Sequence, residues 1–406
     1  MFKNYFTNRR EFILFFVVII WYVVSIQFYK YVGFPNAVTY SHLAKLFAAF
    51  MLIVCFNDII NTKRNGYVSY IAIGMIISFF ISVIYWYASP FYELQAQGSE
   101  VGLLYVVVFF SLRKWNIGIN TVEHVLLTLS IIYLMCWLYS LYIMPEMVFG
   151  FDRDDNYGEI TNRGFYRLFI PGNLTPFLCL YFLGKFLEKK KKISLLLTFG
   201  MFIVIILHVG RQMIIWTLIA ALLMIYMKYR KNLFKILLAA TLGCSAFYYV
   251  ITEIPAVKAM VELSEDQSDN FEDDIRVEAT EYFIFDYPHN VFTSIFGNGT
   301  PARDTELKII EQRGIAKGYY QTDVGFFAMY CNYGLWGVVF CFLLLWRVIK
   351  LNVDPKYEYL KYYIYYSYGV YLMSQGLTVH FFTVMMAYYI LEKSSDNKLG
   401  FVSNKR

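Results

Sequence analysis

Long apolar runs alternate with short polar or basic breaks along almost the whole chain. A helix that crosses a bilayer needs about 20 apolar residues, within a range of about 17–25. Such runs cover residues 12–28, 40–60, 67–88, 122–144, 167–187, 193–209, 211–227, 233–251, 321–346, 358–374 and 376–391, with a shorter one at 100–112. The pattern predicts an all-α, polytopic membrane protein of about 12 (10–12) transmembrane helices. The first run follows Lys3, Arg9 and Arg10 without a small-residue cleavage site, so it is expected to remain as a helix. Neither a repeat of fixed period nor an inverted repeat is visible.

The stretch "LHVGRQMIIW" interrupts this pattern with Arg211. A charge at the centre of a bilayer costs about 2.5–3.5 kcal/mol, so such a residue belongs at an interface or in a protein-lined cavity. One helix over 193–227 would run about 52 Å, well beyond a hydrocarbon core of about 30 Å. It would also leave either "KKKK" (189–192) or "KYRK" (228–231) on the outside. Two short helices that turn at "HVGRQ", with Gly210 in the bend, keep both basic clusters on one side. That side is predicted to be the cytoplasm, with both termini in it, because most of the 36 Lys and Arg then fall inside.

Two outer segments depart from the short-loop pattern: residues 145–166, and residues 252–320, in which acidic residues outnumber basic ones. Loops of such length are usually functional or disordered. The second is expected to form a large extracytoplasmic cap with an acidic patch near 264–274. The chain divides into N-terminal helices (1–144), a core with both outer loops (145–346), and C-terminal helices with a cytoplasmic tail (347–406).

Composition agrees with a membrane protein: 58% of residues are hydrophobic and only 16% charged, too apolar for a soluble globular chain. The 37 Tyr and 38 Phe are enough to furnish interfacial belts without invoking a ligand. All six Cys lie in apolar runs with no CxxC pair, which argues for packing and against disulfides or zinc. No His pair has the spacing of a metal site, so no metal or other cofactor is expected. No nucleic-acid partner is expected either.

Candidate chemistry gathers on the outer side. Arg163, Arg167, Arg211, Arg276 and Arg303 are candidate ligands for a polyanion, because a guanidinium forks onto phosphate oxygens and keeps its charge. Ion pairing with Asp152, Asp154, Asp155 and Glu159 explains the arginines of the first loop equally well. His289 in "DYPHN" has the ordinary pKa of a general base, and Asp323 opens the helix after the loop. "GNGTP" (297–301) looks like a phosphate-cradling turn, but a tight bend accounts for it without further chemistry.

Taken together, "HVGRQ", the long loop with "IRVEATEYFI" and "PHNVFTSIFGNGTP", and the return through "TDVGFFAMYCNYGLWGVVF" resemble the O-antigen polymerases, relatives of the O-antigen ligases. The resemblance covers roughly residues 145–346. It departs from the family where "HVGRQ" replaces the more usual Ser-Arg-Gly, and where "PHN" precedes the glycine turn. It implies a bacterial plasma-membrane glycosyltransferase that polymerises undecaprenyl pyrophosphate-linked repeats at the outer face. It further implies Arg211 as a catalytic phosphate ligand, Arg163, Arg167, Arg276 and Arg303 as substrate-binding residues, and His289 or Asp323 as base. Membrane lipid, a chain-length regulator and a flippase are the implied partners. An O-antigen ligase or related glycan transferase, which differs in its acceptor, and a lipid-linked oligosaccharide flippase are the alternatives.

Overall fold

The computed structural model describes residues 9–26, 37–98, 102–144, 148–149, 151–152, 168–170, 172–208, 210–232, 275–288, 290–373 and 376–403, with isolated positions at 241, 245, 248 and 253. In chain order the helices are α1 (Arg9–Ile26), α2 (Ala37–Val54), α3 (Phe56–Ile60), α4 (Thr62–Asn65), α5 (Tyr67–Tyr85), α6 (Pro90–Gln97), α7 (Val107–Lys114), α8 (Ile119–Ile143) and α9 (Thr175–Lys189). They continue with α10 (Lys192–Leu207), α11 (Arg211–Tyr229), α12 (Ile275–Glu281), α13 (Val291–Phe296), α14 (Glu306–Ile315), α15 (Phe326–Lys350), α16 (Tyr359–Met373) and α17 (Gly376–Ser403). Two-residue strands, Phe151–Asp152 and Leu168–Phe169, form one antiparallel pair.

Four described helices are long and apolar enough to cross a membrane: α5, α8, α11 and α15. Tyr40–Val54 and α10 are shorter apolar helices. The expectation of a helical protein with several membrane-length helices therefore holds, while a count of twelve is not reached among the described residues. The expected span at 233–251 and most of the loops 145–166 and 252–274 lie outside them.

The expected hairpin is present: α10 ends at Leu207 and α11 begins at Arg211. The short run at 100–112 becomes a 3-10 turn (Leu104–Val106) leading into α7. Every residue from Leu103 to Phe110 is buried. It can be shorter than a bilayer is thick because protein, not lipid, surrounds it. Its neighbours are α2, α5 and α17. Four cysteines, Cys55, Cys179, Cys331 and Cys341, are buried free thiols, and Cys136 is a partly buried one. Cys244 lies outside the described residues.

Side-chain contacts show which helix ends lie together. At one end Arg10 donates to Trp115 O (3.0 Å), Lys114 pairs with Asp58 (3.4 Å) and Arg113 pairs with Glu392 (3.0 Å). Glu123, nearly inaccessible, sits between Lys185 (3.6 Å) and Lys356 (3.8 Å) and accepts from Tyr359 Oη (3.0 Å). Removing one member of such a buried set leaves the other charges uncompensated. The basic clusters thus share one end, and the start of α1 and the Glu392 region of α17 lie there too.

At the opposite end Tyr22 Oη donates to Gly172 O (3.1 Å), and Gly325 lies against the carbonyls of Tyr371 and Leu372. The described part of the long loop folds back onto this end of α15. Ala279, Phe283, Tyr287 and Leu307 pack with Val324, Ala328 and Cys331.

Candidate functional site

The Arg211 turn is built by its neighbours. His208 closes α10, and its Nδ1 lies 2.7 Å from Val204 O, which can only accept, so Nδ1 carries the proton. Nε2 lies 3.2 Å from Tyr133 Oη. The imidazole lies flat on the Trp137 indole, with centroids 4.1 Å apart and planes 9° apart. His208 thus ties the turn to Tyr133 and Trp137 on α8. Gly210 is extended (φ −102°, ψ 98°), and Arg211 is the first residue of a 19-residue helix. The helix N-terminus adds its partial positive charge to the guanidinium, so the turn favours an anion.

The helix α11 runs antiparallel to α16, since Lys190 meets Tyr229 at the end of α11 while Glu123 joins nearby Lys185 to Tyr359 at the start of α16. The two helices pack along each other, with Trp216 where a Cβ on Gly369 would fall. Five residues of helix, about 7.5 Å, carry Arg211 from there to the level of the C-terminal end of α16. Gly325 rests on that same end, and Asp323 stands two residues before it in the 3-10 turn Gln321–Asp323. Arg211 and Asp323 therefore occupy one layer of the molecule.

The other sequence candidates are spread over separate elements. Arg276 is exposed on α12, whose Glu278 accepts from Tyr319 Oη (2.9 Å). Arg303 is exposed, 3.6 Å from Asp304, and its guanidinium lies 5.5 Å from the Tyr92 ring on α6. Arg163, Arg167 and His289 lie outside the described residues.

A second arrangement, absent from the sequence reading, is a buried polar nest around Glu93. Glu93 is wholly inaccessible and accepts three hydrogen bonds: Ser82 Oγ to Oε2 (2.6 Å), and Gln97 Nε2 (2.8 Å) and Thr300 N (3.2 Å) to Oε1. Burial pushes its carboxyl up to about 7, against these bonds, which favour the carboxylate. Tyr333 Oη donates to Gln97 Oε1 and accepts from Leu103 N (2.8 Å). Asn332 Nδ2 donates to Gln321 Oε1 (3.2 Å), and Asn298 Nδ2 to Pro288 O (2.8 Å).

Two glycines let the backbones meet. Helix α15 breaks at Gly334 (φ 64°, ψ −169°), where a Cβ would lie 2.3 Å from Ile295 O. A Cβ on Gly297 (φ 83°) would lie 2.2 Å from Asn332 O. The break frees carbonyls: Asn298 N donates to Cys331 O (2.9 Å) and Gly299 N to Asn332 O (3.1 Å). "GNGTP" is therefore a tight bend held by backbone donors already engaged with protein. The available signal for Glu93 was its i, i+4 spacing with Gln97 in "PFYELQAQ", a helical pair between two apolar runs.

No protein-family model and no curated protein matches this chain. Among the described residues no group of three or more His, Cys, Asp or Glu is placed to hold a metal ion.

Proposed function

We propose that this protein is a glycosyltransferase of the O-antigen polymerase type, extending undecaprenyl pyrophosphate-linked oligosaccharide repeats at the outer face of a bacterial plasma membrane. The observation that carries this reading is the shared layer of Arg211 and Asp323, at the end of the bundle opposite the basic clusters. By the positive-inside rule the basic end is cytoplasmic, so that layer faces outward.

In this reading the bond between the donor sugar's anomeric carbon and its pyrophosphate breaks, and a new bond forms to an acceptor hydroxyl. The acceptor proton passes to Asp323 or His289, and the departing pyrophosphate keeps the electron pair. Charge develops on the leaving group, and a fixed guanidinium at a helix N-terminus stabilises it without reorganising. Arg276 and Arg303, on the same side, would contact the substrate's charged or sugar groups, as would Arg163 and Arg167.

The test is Arg211→Ala and Arg211→Lys at matched abundance. Loss of a charge-assisted hydrogen bond is worth roughly 1.5–3 kcal/mol, or about a ten- to hundred-fold loss of turnover. Alanine should abolish long glycan chains, and lysine, a point charge without the planar fork, should restore activity only in part. Unchanged chain-length ladders from both variants would remove Arg211 from the reaction.

The broken α15 and the buried polar nest favour a second reading, a lipid-linked oligosaccharide flippase, since transporters use interrupted helices in this way. Repeat extension by purified protein in detergent, where no second leaflet exists, separates the two. A ligase would instead need its own acceptor in that assay.

A further inference from the structure

We infer that residues 290–301 form a re-entrant membrane segment, which enters from the end that carries Arg211, reaches mid-bilayer depth at Phe296–Gly297 and turns back, with Val291, Phe292 and Ile295 against acyl chains. The sequence had assigned this stretch to an outer loop. The inference holds whatever reaction the protein performs.

Depth follows from two helices that meet at Trp336. The Phe296 ring lies 5.5 Å from Trp336, whose Nε1 donates to Tyr70 O (2.8 Å) and whose indole covers Gly74. Trp336 is eleven residues of unbroken helix from Arg347 in the basic last turn of α15, about 16 Å along its axis. Gly74 is eleven residues from the Tyr85 end of α5, about 16 Å. In a hydrocarbon core of about 30 Å both distances place Phe296 near the middle. The chain then returns: Gly299 packs on Ser78 and Ser82, and Thr300 N reaches Glu93 on α6.

The surface of α13 is inverted for a helix in water. Thr293 is buried at 2% exposure, while Val291, Phe292 and Ile295 are 83%, 54% and 40% exposed. Leu335 and Val339 on α15 and Phe80 and Ile84 on α5 add exposed apolar surface on the helices that hold it. Irregular backbone at membrane depth is tolerated only where protein satisfies it or a water-filled cavity receives it. Here protein does so. Asn290 Oδ1 caps Phe292 N and Thr293 N (both 2.9 Å), and Gly297 N donates to Thr293 O (2.7 Å). Asn298 N and Gly299 N use the carbonyls beside the α15 break, and Thr300 N uses Glu93. Every amide donor from 297 to 300 is thereby paired inside the protein.

The experiment uses the full chain in phosphatidylcholine nanodiscs. Phe292→Cys and Ile295→Cys are labelled with bimane, with Gln312→Cys on exposed α14 as the aqueous comparison and the parent chain as labelling background. Bimane at 292 and 295 should emit at shorter wavelength than at 312 and lose intensity to nitroxides on lipid acyl chains but not to iodide. At 295 the mid-chain nitroxide should quench more than one near the headgroup. Iodide quenching at 292 and 295 equal to that at 312, with none from lipid nitroxide, would overturn the inference. A second measurement needs no substitution: photolysis of the parent chain with acyl-chain diazirine lipid, followed by peptide mapping. Adducts on 290–301 are expected, and their absence where Leu335 and Val339 are labelled would equally overturn it.

Discussion

Replacing Glu93 by alanine is expected to destabilise the fold by about 2–6 kcal/mol. The carboxylate accepts from Thr300 N, Gln97 Nε2 and Ser82 Oγ, all in a buried setting. A buried donor left without its acceptor costs about 1–3 kcal/mol. The Ser82 hydroxyl can rotate to another acceptor, which leaves the Thr300 amide and the Gln97 side chain to bear the loss. Glu93→Gln should be far milder, because its Oε1 keeps both of those donors while its amide can donate to Ser82 Oγ. The two variants also separate in pH dependence. The folded carboxyl titrates near 7, above its usual 4.5, so the folded state binds the extra proton between those values. The contribution of Glu93 to stability is therefore greatest below about pH 4.5 and falls as pH rises through 7, by about 3 kcal/mol in all. Glu93→Gln should lose that share of the slope, keep the share of Glu392, whose carboxyl burial also raises, and match or exceed the parent at pH 8. Thermal unfolding in detergent, followed by tryptophan fluorescence at pH 5 to 8, measures both effects. Glu93→Ala melting at the parent temperature, or Glu93→Gln showing the parent's full slope, would refute the assignment of Glu93 as the clasp on residues 297–300.

Two further outcomes follow from the same geometry. Gly334→Ala should fail to fold or should unfold at markedly lower temperature, because a Cβ there meets Ile295 O at 2.3 Å and φ is 64°; an alanine variant with parent-like melting would show that the break in α15 is not required. Impermeant maleimide added to intact cells should label Gln312→Cys and spare Lys190→Cys until the membrane is opened, and the reverse pattern would invert the proposed orientation and remove Arg211 from the outer face.

The membrane class and the Arg211 turn were legible in the sequence because both rest on one-dimensional quantities. Run length set against bilayer thickness identified the apolar helices, and two basic clusters 35 residues apart forced a hairpin between them. The glycine before Arg211 then marked the bend. The alternation of basic breaks likewise indicated which helix ends belong together, and the contacts of Glu123, Arg113 and Lys114 fall at the end so indicated. The depth of residues 290–301 was not legible, since a six-residue helix flanked by Asn and Gly has the local chemistry of a loop. Only the break of α15 at Gly334, forty residues further on, supplies the carbonyls that let such a backbone sit within the bilayer. Glu93 was hidden for the same reason. Its partners Ser82, Gln97 and Thr300 are spread over more than 200 residues, and an acidic residue between two spans reads as a solvated loop residue until tertiary packing encloses it. Hydrophobic length is a property of a segment, whereas the satisfaction of a buried polar group belongs to the neighbours that the fold brings to it.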